Sequence, residues 1–165
     1  MRWLTGIEKG SYQEADIFHL PLIQTVPISF SVKKSKEILT HLKQSQGLIL
    51  TSKQAVNFFF AFLDSNDIEL DFAKYIVVAV GEATKGRLQA FGVKEVELPS
   101  AATQEGLLTL FQDKLVSYKK INWFWPRSTL SRPFLASELK KKSINLYFEN
   151  FYNNYDINFL FHYNI

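Results

Sequence analysis

Two hydrophobic rhythms take turns along this chain. Short apolar runs, GLIL from Gly47, IVVAV from Ile76, VEL from Val96 and NWFW from Asn122, each end in a polar turn bearing Ser or Thr, and each turn opens a segment of helical period. The pattern predicts strands at Gly47–Leu50, Tyr75–Val80, Glu95–Leu98, Ile121–Trp125 and Ile144–Phe148. It predicts helices at Lys53–Leu63, Glu82–Phe91, Thr103–Val116 and Ser131–Lys142. Upstream, Lys33–Gln44 reads as a weak amphipathic helix around Ile38, Leu39 and Leu42. A short strand is predicted at Arg2–Leu4 and a longer one at Ile17–Ile28, where Pro21 and Pro27 confine it to an edge or a crossover between domains. Strands that are apolar throughout and followed by helices fit a parallel α/β sheet covered on both faces, with right-handed crossovers.

Composition adds little beyond an ordinary globular chain. The 165 residues are 47% hydrophobic and 21% charged, enough for one complete domain and part of a second. Nineteen Lys and Arg against sixteen Asp and Glu give a net charge of +3, too dispersed for a nucleic-acid face. The absence of cysteine excludes disulfides, thiolate catalysis and Cys-ligated zinc. No apolar signal segment follows Met1, and the longest apolar stretch, Ala55–Leu63, is broken by Asn57 and too short to cross a bilayer. A cytoplasmic protein without a membrane partner is expected.

In a parallel sheet the strand-to-helix turns emerge on one edge, so their free amides and hydroxyls converge on one crevice suited to anionic groups. Ser52, Thr84, Thr103 and Ser131 stand near helix starts, where capping alone explains any one of them. Four on one edge make a ligand site the alternative reading. Arg127 ends a strand at the same edge, where a guanidinium could pair with a carboxylate. Rival chemistry is poorly supported. His19, His41 and His162 lack metal-ligand spacing, and no GxxxxGK[ST], GxGxxG or G-x-S-x-G motif is present. Asp64, Asp67 and Asp71 read as a solvated connection. The run Phe58-Phe59-Phe60 with Phe62, and the pair Trp123 and Trp125, read as core. Lys140-Lys141-Lys142 reads as the cationic end of a helix.

The segments ILTSKQAVNFFF, VAVGEATKGRLQAFGV, the ATQEGLL helix start, and FWPRSTLSRPFLASELKKKSINL followed by Phe151-Tyr152 resemble uroporphyrinogen-III synthases, in order and spacing, from about Ile17 to Tyr152. The resemblance implies one complete flavodoxin-like α/β domain, a parallel sheet flanked by helices, plus a fragment of a second α/β domain. It also implies a hydro-lyase of porphyrin and haem biosynthesis, cyclising hydroxymethylbilane to uroporphyrinogen III with inversion of the last pyrrole ring and loss of water. No cofactor or metal is implied, and a monomer is expected. Ser52 matches the family's strand-end serine, Thr84 the threonine of its G-x-A-T turn, and Tyr152 the tyrosine after its returning strand, a proton donor or orienter. Thr51, Ser52, Gly81, Thr84, Thr103, Arg127, Ser128 and Ser131 form the substrate-binding set so implied.

The family's first domain is discontinuous, its later half returning after the second. This chain ends at Ile165, and Asn153 replaces the family's threonine after the tyrosine, in a segment (NNYDINFLFHYNI) such as a frameshift or premature stop would leave. The expectation is therefore a first-domain fragment and crossover at 1–28, a complete domain at 29–149 and a truncated return segment at 150–165. Two readings follow: a synthase, or an inactive remnant or polycarboxylate- and tetrapyrrole-binding module.

Overall fold

The computed structural model describes residues 2–4, 17–19 and 23–156. In chain order the elements are β1 (Arg2–Leu4), β2 (Ile17–His19), β3 (Ile23–Pro27), α1 (Val32–Lys43), β4 (Gly47–Leu50), α2 (Lys53–Ser65), β5 (Ile76–Ala79), α3 (Glu82–Ala90), α4 (Gln104–Asp113), α5 (Leu115–Tyr118), β6 (Asn122–Ser128), α6 (Phe134–Lys141) and β7 (Asn145–Asp156). A 3-10 turn lies at Phe72–Lys74. β1 and β2 form a separate parallel pair.

The main sheet has the order β3-β7-β6-β4-β5. β4, β5, β6 and β7 run parallel, and β3 pairs antiparallel with β7 on the outer edge. β4 is buried along its whole length, as an apolar central strand must be. One face is packed by α1, α2 and α3, with Leu48, Leu50, Val77, Ala79, Phe124 and Phe151 pointing into it. Ile49, Val78, Trp123 and Trp125 point the other way, toward α4, α5 and α6. α2 shows why it seats so deeply: Ala55, Val56, Phe59, Phe62 and Leu63 recur with helical period and are all buried. Trp123 lies beside Gly47 across the β4–β6 ladder, and a Cβ on Gly47 would overlap the indole ring.

Several predicted boundaries move for local reasons. The strand expected at Ile17–Ile28 is two strands in different sheets, with Pro21 between them in the sequence. The strand expected at Glu95–Leu98 is a single bridge, Glu97 pairing with Val78 on the open side of β5. Pro99, which has no amide proton to donate, follows directly, and the Glu97 carboxylate instead receives the Tyr118 hydroxyl and Lys114. The helix expected from Thr103 breaks at Lys114 into α4 and α5. The helix expected from Ser131 begins only at Phe134, because Pro133 disfavours helical backbone at Arg132.

Candidate active site

The sheet order determines where a ligand can enter. β4 leads into α2 on one face, β6 leads to α6 on the other, and the two strands are neighbours, so their exits diverge. The ladder itself opens there. β4 and β6 are in register only at Gly47–Trp123 and Leu48–Phe124, whereas β6 stays paired with β7 as far as Ser128. Pro126, which cannot donate to a ladder, sits past the last β4 pairing. The resulting crevice has a volume of about 320 Å³ and is lined by Thr51, Ser52, Thr103, Ser128, Ser131 and Tyr152, together with Val80, Ala102, Gln104, Leu130 and Asn154.

Two helices aim their N-termini at it. The Ser52 hydroxyl accepts from the Ala55 amide at 2.9 Å and caps α2; the Thr103 hydroxyl accepts from the Gly106 amide at 3.0 Å and caps α4. Both ends carry partial positive charge toward the crevice. Glu105, at the start of α4, is ion-paired with Arg132 at 3.1 Å. Its own backbone amide and that guanidinium hold its carboxyl below the usual range.

Two further hydroxyls accept N–H groups. Thr51 Oγ1 accepts from the Trp125 indole at 3.3 Å, and Ser128 Oγ accepts from both the Leu130 amide at 3.1 Å and Asn154 Nδ2 at 2.9 Å. With its two lone pairs engaged, Ser128 has only its proton left to give. Tyr152 Oη lies 2.8 Å from Ser52 Oγ, and hydrogen bonding from Ser52 and Ser128 favours its anionic form. Burial outweighs this and pushes the Tyr152 phenol above its ordinary value, so it is neutral at physiological pH and carries a proton. Phe58 stacks on its ring at 5.1 Å.

A shift in the β6–β7 register places this phenol. Arg127 pairs with Asn150 but Ser128 pairs with Tyr152, leaving Phe151 as an extra residue. Consecutive residues Phe151 and Tyr152 therefore share one face, Phe151 among Phe30, Phe59 and Phe62 and Tyr152 against Phe58 and Ser52.

Of the residues singled out in the sequence, Thr51, Ser52, Thr103, Ser128, Ser131 and Tyr152 meet at the crevice. Gly81, Thr84 and Arg127 are not among its lining residues. Gly81 begins α3 with its backbone against Ala102, and Thr84 is buried in the first turn of α3. The Arg127 guanidinium lies over the Phe148 ring at 3.7 Å, with Nε donating to Asn150 at 3.1 Å, on the sheet face opposite Tyr152. Strand alternation, not the turn, decides that placement. Gln104 and Asn154 were not singled out. Gln104 follows the capping threonine directly, and Asn154 shares the Tyr152 side of β7 only because of the register shift.

A protein-family model described as HEM4, uroporphyrinogen-III synthase HemD, matches residues 8–159. This chain belongs to the uroporphyrinogen-III synthase family. Its fold is shared with solved members. A mutant uroporphyrinogen III synthase from the extremely thermophilic bacterium Thermus thermophilus superposes with a TM-score of 0.62 at 13% identity, over 85% of this chain and 54% of that one. The wild-type crystal form of the Thermus protein gives 0.60 at 13% identity, over 85% and 53%. Uroporphyrinogen-III synthetase from Helicobacter pylori 26695 gives 0.57 at 19% identity, over 94% of this chain and 63% of that one. The chain thus spans between about half and two thirds of these uroporphyrinogen-III synthases. A search of curated protein sequences finds no match. No helix among the described residues is long and apolar enough to cross a membrane, and no described cluster of His, Cys, Asp or Glu could hold a metal.

Proposed function

We propose that this chain is a uroporphyrinogen-III synthase that cyclises hydroxymethylbilane, and that the crevice between β4 and β6 is one wall of its substrate site. The observation carrying this reading is the convergence of the Thr51, Ser52, Thr103 and Ser128 hydroxyls and the Tyr152 phenol on one crevice beside two helix N-termini. Such a wall of hydroxyls and helix N-termini suits a linear tetrapyrrole bearing many acetate and propionate groups. In this assignment residues 29–149 form the complete domain, 1–28 are a first-domain fragment and crossover, and 150–165 are the return segment, whose residues Phe151 and Tyr152 still pack on the complete domain. The enzyme works without a cofactor, as a cytoplasmic monomer.

The reaction needs a proton, a held geometry and little else. Cleavage of the hydroxymethyl C–O bond is assisted by electron donation from the attached pyrrole, and the departing hydroxide takes a proton to leave as water. The ring carbon that forms the new bond later releases a proton, so the group that donated is restored. Tyr152 is the candidate donor: neutral, buried, and receiving hydrogen bonds that stabilise its oxygen as the proton leaves. Because the linear substrate also closes unaided to the uninverted isomer, the protein's main contribution is orientation of the last ring.

Incubating the purified chain with freshly generated hydroxymethylbilane and separating the uroporphyrinogen isomers tests the proposal. Isomer III is expected; only isomer I, formed at the spontaneous rate, overturns it. The hydroxyls and helix N-termini of the crevice would serve equally in a second reading, a polycarboxylate-binding module without turnover. Saturable quenching of uroporphyrin fluorescence with no isomer III identifies that case.

A further inference from the structure

Thr51, Ser52, Thr103 and Ser128 bring hydroxyls to the crevice, each already holding a protein N–H, and one group beside them has no partner. Gln104, the first residue of α4, lines the crevice, and its Oε1 is a buried side-chain acceptor without a hydrogen-bond partner, the only such acceptor among the described residues. Leaving a buried carbonyl oxygen unpaired destabilises a protein by about 1–3 kcal/mol. The nearby positive end of the α4 dipole favours the oxygen in that position over the amide nitrogen. The terminal torsion of a glutamine is broad, so a ligand donor that offsets the dipole preference would draw the oxygen to the crevice by rotation of the amide, without movement of α4.

A ligand that satisfies this oxygen must supply a donor. The carboxylates of hydroxymethylbilane are acceptors only, and its repeated donors are the pyrrole N–H groups, one to each ring. We propose that Gln104 accepts a hydrogen bond from a substrate pyrrole N–H, reading the ring itself while the hydroxyls and helix ends read its carboxylate arms. This inference rests on the crevice being the tetrapyrrole site. It assigns Gln104 a specificity role: an anionic ring lacking an N–H meets the hydroxyls and helix ends equally well and leaves Gln104 unpaired. Rejection then comes from the protein's own unsatisfied acceptor.

The test compares a monocyclic pyrrole bearing one acetate and one propionate with the corresponding furan, in which oxygen replaces N–H. Binding of each to the full chain is measured by NMR chemical-shift perturbation, followed at the Ala55 and Gln104 amides. Pyrrole is expected to bind about fivefold tighter, the effect of one net hydrogen bond of about 1 kcal/mol. In Gln104→Leu the two affinities are expected to become equal, with the furan affinity little changed. Equal affinities in the unsubstituted protein overturn the role of Gln104 and leave the crevice as a polycarboxylate site. A preference that survives in Gln104→Leu shows the N–H to be read elsewhere and likewise overturns it. If neither ring shifts these amides, the crevice reading falls and this inference with it. Should Gln104→Leu fail to fold, Gln104→Met, which also lacks the amide oxygen, takes its place with the same expected and overturning results.

Discussion

Tyr152 joins a strand, a helix cap and a turn through one oxygen. It bonds to the Ser52 hydroxyl that caps α2, is acted on by the Ser128 hydroxyl at the end of β6, and stacks on Phe58. Tyr152→Phe keeps the ring and removes the oxygen. It is expected to lower unfolding free energy by about 1 kcal/mol in urea titrations and to reduce the share of isomer III. Isomer yield unchanged from the unsubstituted chain would remove Tyr152 from the acid role. Ser128→Ala is expected to cost about 1–3 kcal/mol, since it strands the Asn154 amide and the Leu130 N–H together. Ser52 and Thr103 were legible because capping leaves a signature at a fixed offset from an apolar run. Arg127 was misplaced because a turn position says nothing about which face a strand's last side chains take. Gln104 left no signal, since an unpartnered oxygen is a fact of three-dimensional surroundings.

The helix starts and the β4–β6 junction carry the site as units. Thr103→Ala removes the α4 cap and is expected to destabilise by about 1 kcal/mol, read as a lower midpoint in urea with an unchanged slope. Gly47→Ala acts at the opposite end of β4, where the added methyl meets the Trp123 ring. Overpacking of this kind is expected to cost about 1–3 kcal/mol, and indole fluorescence should report the displaced Trp123. The parallel strands and their helices were readable because apolar runs of strand length alternate with segments of helical period. The bridge at Glu97 was overread, since an apolar flank on either side of a glutamate mimics a strand whose edge the carboxylate actually leaves to bind Tyr118 and Lys114. The extension of β7 to Asp156 was underread, because Asn-rich sequence carries little strand propensity and gains its order from pairing with β3.

Four tyrosines in the fold share one response to alkali. Burial raises Tyr75, Tyr118, Tyr147 and Tyr152, with Glu97 adding to the effect at Tyr118 and Glu149 at Tyr147, which is pushed up to about 12. A group whose pKa is higher in the folded state stabilises fully below its unfolded value, about 10 for tyrosine, and less as pH rises through the folded value. Stability attributable to these phenols is therefore expected to be level to about pH 10 and to fall between there and about pH 12, as measured by urea unfolding across that range. Tyrosinate absorbance should rise in the same interval. The doubly covered, largely parallel architecture followed from the succession of elements, but the strand order and the direction of β3 did not, because pattern alone neither orders strands nor orients an edge strand. That ribbon of β3 and β7 gives the extra residue at Phe151 its larger meaning. Period-two counting along β7 assigns Tyr152 to the Arg127 side; the insertion reverses the parity of everything after it. Any alignment of this segment that slips by one position will compare side chains from opposite faces of the sheet, and a β7 from which Phe151 were deleted would carry its phenol away from the crevice.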